Sequence, residues 1–323
     1  MKKIILAAVI AAVVLIAAIL YTWHWLNLPV ATQAEPVNFT VARGESLTDV
    51  AENLATQKLI KSAWTVRLLA KFNQSENKLL PGIFSVSAAQ KPLEILQTLQ
   101  TSPKELTITI LPGWRREEIA VYLNTLGLTN FSETEFLQLT KKMEGQLMAE
   151  TYRIFPDAST QDLVDLLHKQ YLTDLEENEE IQSLLSESGE NWTEILTLAS
   201  LLQREARDFS QMQNIATIIK RRLADNYPLQ LCASAQYASG QNAKTGKWWE
   251  EPTLADTQID SPYNTYEYKG LPPGPICAVS VSAVKAALTP VENDYYFYLH
   301  DKNGQIHYAT TFEEHEANKA QYL

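Results

Sequence analysis

The stretch LASLLQREAR, residues 198–207, places an acid where a helix would bury it. At helical spacing Glu205 follows Leu198 by seven residues, Leu201 by four and Leu202 by three, so its carboxyl shares the apolar stripe. The positions three or four residues away hold Leu201, Leu202, Asp208 and Phe209, none of them basic. A carboxyl set against leucines without a local cation loses hydration in its charged form, and its pKa rises. That is the state a general acid needs near neutral pH. A partly buried glutamate bonded to a distant arginine or to backbone amides would leave the same local pattern.

A second stretch with chemical content is IDSPYNTYEYKGLPPGPI, residues 259–276. Gly270 and the prolines around Gly274 make a stiff loop with little helix or strand potential, approached by Tyr263, Tyr266 and Tyr268. Tyrosines beside Ser261, Asn264 and Thr265 offer flat apolar faces together with hydroxyls and an amide, which is what a sugar ring asks for. Trp248 and Trp249 either extend that platform or pack as ordinary aromatics. His300, His307 and His315 are spaced seven and eight apart and do not form a ligand set on one helix or strand face. They are expected on the surface or in strand packing. Cys232 and Cys277 are compatible with a disulfide or with two free thiols, and no metal-type cysteine pattern occurs. No G-x-S-x-G elbow or Gly-rich phosphate loop occurs beyond the N-terminal apolar run.

These residues need elements to hold them. The chain begins MKKIILAAVIAAVVLIAAILYTWHW, with two lysines, an apolar run from Ile4 to Leu20, and then Tyr21, Trp23 and Trp25. That order suits an uncleaved membrane anchor; a signal peptide would have a shorter apolar region ending in small residues. With Lys2 and Lys3 cytoplasmic, everything after about residue 26 would lie outside the membrane. The exported part then has 25 basic against 38 acidic residues, so nucleic acid and anionic lipid are poor partner expectations.

Beyond the polar tether LNLPVATQAEP, the pattern predicts a strand from Val37, an Arg43-Gly44 turn and a helix on Leu47, Val50, Ala51 and Leu54. A helix through SAWTVRLLAKF, a strand GIFSVS after Pro81-Gly82 and a helix opened by Pro92 complete a small module near Gln100. A strand ELTITI then opens a larger, mostly helical unit. Capping-box spacing at Ser132/Glu135 and Ser210/Gln213 predicts helix starts near 133 and 211, with a looser signal at Asn191/Glu194. DYYFYLHDKNGQIHYAT reads as a hairpin through Asn303-Gly304.

The chain resembles the endolytic murein transglycosylases of the MltG (YceG-like) family over essentially its whole length. VARGESLTDVAENL matches a LysM-like module, ITILPGWRREEIA the strand, turn and helix that open the catalytic domain, and LASLLQREA the catalytic helix. SPYNTYEYKGLPPGPI reproduces the most specific signature. The implied fold is α+β: an N-terminal transmembrane helix (1–25), a linker (26–36), a small LysM-like α/β module (37–102) and a larger mixed α+β catalytic domain (103–323).

The resemblance assigns the essential acid to Glu205. It assigns sugar binding to Gln230, Ser261, Tyr263, Asn264, Thr265, Tyr266, Gly270, Leu271, Pro272, Pro273 and Gly274. It implies cleavage of MurNAc-β-1,4-GlcNAc bonds in nascent glycan strands with 1,6-anhydro ends, which limits strand length, and it implies no cofactor. Implied partners are peptidoglycan, the inner membrane through residues 4–23, and glycan synthases with the division or elongation machinery. Three departures stand out: EGQLMAETY where the family reads close to EGYLFPDTY, Cys232 in place of an aspartate, and Ala278, Val279 and Ser280 after GPI. They support a rival expectation, a membrane-anchored peptidoglycan-binding scaffold with a weakened cleft.

Overall fold

The apolar N-terminal run forms α1 (Lys2–Leu26), and from Val9 to Leu26 its mean hydropathy is 2.1 with none of the window buried. By length and composition it is one helix able to cross a membrane. The computed structural model describes the backbone of every residue except Met1, Arg43, Ser102 and Lys104, and side chains from Val9 onward. The side chains of Lys2 and Lys3, and Arg43 of the predicted turn, therefore lie outside the described residues.

The chain divides into two units, residues 1–107 with 153–157, and residues 108–152 with 158–323. In the first, β1 (Val37–Val41) leads to α2 (Leu47–Thr56) and α3 (Ala63–Phe72), then β2 (Gly82–Val86) and α4 (Pro92–Thr98). Ser46 and Asp49 close a capping box at the start of α2, and Pro92 sits where a helix does not need its N–H. β1 and β2 pair antiparallel, Val37 opposite Val86 and Val41 opposite Gly82. Alternate strand residues Phe39, Val41, Phe84 and Val86 bury one face against Val50, Leu54, Val66 and Ile95 of the helices.

The chain continues through β3 (Leu106–Thr109), α5 (Arg116–Thr125), α6 (Glu133–Leu139), β4 (Thr151–Ile154) and α7 (Thr160–Tyr171). After a π-helical turn at Leu172–Glu176 come α8 (Glu179–Ser188), α9 (Trp192–Glu205), α10 (Phe209–Ala224) and α11 (Cys232–Ser239). α12 (Val281–Leu288), β5 (Phe297–His300), β6 (Ile306–Ala309) and α13 (Phe312–Tyr322) complete it. β3 and β4 form a two-stranded sheet, and β5 and β6 an antiparallel hairpin with Phe297 opposite Ala309 and His300 opposite Ile306.

At the centre is α9. All eight residues from Ile195 to Leu202 are buried, as for a helix covered on every side, here by α10, α11 and α12. Its start is capped by Asn191, whose side chain accepts the Thr193 N–H at 2.8 Å. α10 starts two residues earlier than its Ser210 signal indicates. Asp208 takes the cap instead, accepting the Gln211 N–H at 3.1 Å, because α9 stops at Glu205 and leaves only a three-residue link. Both cysteines are free thiols, Cys277 buried and Cys232 exposed.

Candidate active site

Glu205 is the last residue of α9. Ala206 turns extended (φ −144°, ψ 159°), so the carboxyl stands at a sharp corner where the core helix meets a cavity of about 600 Å³. Around the cavity α10 contributes Arg222, the turn into α11 Gln230, Cys232 and Ala233, the tyrosine loop Tyr266, the hairpin Tyr298 and His300, and α13 His315 and Lys319. Glu205 is the only carboxylate among the described residues of that lining.

The carboxyl is half-buried, and its pKa is raised chiefly because burial penalises the charged form. Its place at a helix C-terminus, where the exposed carbonyls are negative, acts in the same direction. Four groups oppose the rise. Tyr298 Oη donates to Glu205 Oε2 at 2.8 Å, the Ala233 backbone N–H at the start of α11 donates as well, and Arg204 and Arg222 add positive charge. The net direction remains upward. Among the described residues Glu205 forms no ion pair; Arg222 gives Nε to Tyr296 O (3.0 Å) and Nη1 to Leu229 O (2.7 Å). Arg204 lies over the Trp249 ring, 3.9 Å from its centre, and Trp249 Nε1 donates to Glu118 at 2.6 Å.

Of the residues expected to bind sugar, Gln230 and Tyr266 line this cavity with Glu205. Gln230 has a φ of +51°, a strained value for a residue with a Cβ, and the strain is held by its N–H donating to Thr265 O at 3.1 Å. Tyr266 Oη lies 3.4 Å from Cys232 Sγ. Asn264 and Thr265 require a correction. They are 0% and 1% exposed and their side chains cannot touch a strand. The Asn264 amide donates to Thr257 O and Ile259 O at 3.1 and 2.9 Å. Thr265 Oγ1 accepts the Leu231 N–H at 3.0 Å and bonds Ser234 Oγ at 2.7 Å. Both brace the loop that sets Gln230 and the first N–H groups of α11 beside Glu205.

The remaining members sit elsewhere. Leu271, Pro272 and Pro273 line a separate hollow of about 490 Å³ with Thr193, Glu194 and Thr197 at the opposite end of α9. Ser261 Oγ accepts the Tyr263 N–H at 3.3 Å, and the Tyr263 ring packs on Tyr237 at 4.7 Å. Gly270 turns with φ +90°, and buried Gly274 lies under the Tyr263 hydroxyl. Of the histidines, His300 on β5 and His315 on α13 also line the cavity, while His307 pairs with Asp301 at 3.2 Å. Sequence reasoning missed Tyr298 and Arg222. The hairpin pattern places Tyr298 on a strand but carries no signal for its partner.

A family model described as the YceG-like family matches residues 39–321. The endolytic murein transglycosylase of Bacillus subtilis (strain 168) is 27% identical over 318 residues, covering 89% of this chain and 85% of its own length. That of Streptococcus pneumoniae (strain ATCC BAA-255 / R6) is 24% identical over 337 residues; the match takes in 92% of this chain and 60% of the pneumococcal protein. A crystal structure of a yceG-like protein from Listeria monocytogenes shares the fold with a TM-score of 0.58 at 24% identity, covering 88% of this chain and 99% of that one.

Proposed function

Because the chain belongs to the YceG-like family, we propose that it is an endolytic lytic transglycosylase of peptidoglycan with Glu205 as its acid. The observation that carries this reading is a lone carboxyl, its pKa raised by burial, in a cavity whose other described lining residues include no second acid. Hydrolases of such glycosidic bonds ordinarily need two carboxylates, the second to attack or to activate water. A transglycosylase does not, because its nucleophile is the substrate's own 6-hydroxyl, already held near C1.

Neutral Glu205 gives its proton to the oxygen leaving C1 of the muramyl residue as the glycosidic bond breaks. The resulting carboxylate takes the proton of the 6-hydroxyl, whose oxygen bonds to C1. The product is a 1,6-anhydromuramyl end, and no water is consumed. With the Tyr298 hydroxyl donating to Oε2, the acidic proton belongs on Oε1. When the charge appears, that hydroxyl, the Ala233 N–H and the nearby guanidinium of Arg222 stabilise it. Gln230 and Tyr266 supply the polar and flat surfaces for the sugar.

In this reading α1 is a single-pass anchor in the cytoplasmic membrane with its N-terminus inside. The LysM-like module and the catalytic domain are extracytoplasmic and work beside glycan-polymerising enzymes. The rival scaffold reading is favoured by one observation, the Cys232 thiol standing in the cavity wall. Digestion of uncrosslinked glycan strands decides between them by product mass, since an anhydro end is lighter than a hydrolysed one by one water. Anhydro-terminated fragments internal to the strand, lost at least ~100-fold in Glu205→Gln as expected for a general acid, are the expected outcome. Equal turnover by Glu205→Gln would reject the assignment, and no cleavage by the unaltered protein would leave the scaffold.

A further inference from the structure

Helix α3 carries apolar residues on two faces. Thr65, Val66, Leu69 and Ala70 are buried in the core of the smaller unit. On the outward side Trp64, Leu68 and Phe72 recur every four residues, and Trp64 and Phe72 are 52% and 74% exposed. The core does not use this row. It lines a hollow of about 730 Å³ together with Ala18, Ile19, Trp23 and Leu26 of α1. Trp23 and Trp64 meet edge to face with ring centres 6.2 Å apart.

The chain between α1 and the rest of this unit is pinned. Lys61 Nζ donates to Trp25 O at 2.9 Å and stands 4.5 Å from the centre of the Trp25 ring. The N–H groups of Val30 and Ala31 both donate to Ala88 O at 3.0 Å. Residues 18–26 are the C-terminal end of the span, so whatever shares a hollow with them lies at the level where acyl chains give way to headgroups. We propose that α3 is an interfacial helix, inserting Trp64, Leu68 and Phe72 into the surface of the bilayer that α1 crosses.

Charge points the same way. Between Glu52 and Glu76 there is no acidic residue, while Lys58, Lys61, Arg67 and Lys71 are all basic, in a chain of net charge −11. Lys61, Arg67 and Lys71 flank the apolar row, as on helices that bind anionic lipid surfaces. The occupant is therefore the lipid surface itself, with anionic headgroups against these side chains and acyl chains against the row. The proposal departs from the expectation, drawn from total charge, that anionic lipid is a poor partner, because the local charge balance is opposite to that of the whole chain.

The inference rests on reading α1 as a membrane span, and the test separates the two. The full chain, in a Cys232→Ser background, is placed in nanodiscs of phosphatidylcholine with phosphatidylglycerol. A nitroxide is attached at Val14→Cys, Glu52→Cys, Leu68→Cys or Phe72→Cys, and its accessibility to oxygen and to a water-soluble nickel chelate is measured. Labels at 68 and 72 are expected to show an oxygen-to-nickel ratio several-fold above that at 52. A lipid signature at 14 with an aqueous one at 68 and 72 would overturn the proposal and leave the anchor intact; aqueous signals at 14 as well would overturn both. Exclusion of both reagents at 68 and 72 would mean that protein covers the row, which also overturns it. In Lys61→Glu/Lys71→Glu the ratio at 68 is expected to fall only where phosphatidylglycerol is present, and an unchanged ratio would overturn the headgroup assignment.

Discussion

In the proposed reaction Glu205 holds a proton and then carries a charge, and its neighbours serve one half of that task each. Burial and the helix end favour the neutral acid; Tyr298, the Ala233 N–H and the arginines favour the anion. Removing the Tyr298 hydroxyl takes away a group that lowers the pKa, so the raised pKa climbs further and the acid form persists to higher pH. For Tyr298→Phe the basic limb of the kcat/KM profile is therefore expected to move upward. The rate at the optimum should drop about tenfold, the worth of one hydrogen bond to a charged group. A lower rate with an unmoved limb would reduce Tyr298 to a packing residue. Only half of this pair was legible in the chain. The helical spacing of Glu205 against leucines is local, whereas Tyr298 lies 93 residues away and meets it only through the packing of the hairpin.

At the level of elements, α9 acts as the ruler along which the site is built. Ser200, fully buried in its middle, donates to Thr197 O at 2.7 Å and accepts the Ile276 N–H at 3.0 Å, tying the proline loop to the core helix. In Ser200→Ala the buried Ile276 N–H loses its partner, at a cost of about 1–3 kcal/mol. Chemical denaturation should show a midpoint lowered accordingly, and an unchanged midpoint would mean the tie contributes nothing. Helix and strand positions were largely readable because periodicity and turn residues are written locally, as in GIFSVS, Pro92 and the Asn303-Gly304 hairpin. The start of α10 was not, because two capping residues compete there. Asp208 prevails through the abrupt end of α9, which is a tertiary event.

For the molecule as a whole, pH acts through a second buried acid. Glu144 accepts the Arg116 N–H at 3.1 Å and the Tyr237 hydroxyl at 3.2 Å, and its pKa is pushed up to about 8 by burial first and by the Glu117 charge second. The folded state thus keeps a proton that the unfolded chain releases near 4.5. The associated stability is full below that value and is lost as pH rises through about 8. Thermal midpoints of the unaltered protein should decline across this window and those of Glu144→Gln should decline less; parallel curves would refute the linkage.

The chain by itself determined the anchor-like helix, the order of elements and an acid on an apolar face, since each depends on residues within a few turns of one another. It also carried the tyrosine-proline loop, but not what that loop touches. Only the tertiary structure decided that Asn264 and Thr265 are braces, that the proline stretch lies at the far end of α9, that Tyr298 bonds the acid and that Arg222 shares its cavity. Whether a polar side chain faces a substrate or its own backbone depends on which distant segment satisfies its hydrogen bonds, and no local pattern records that partner.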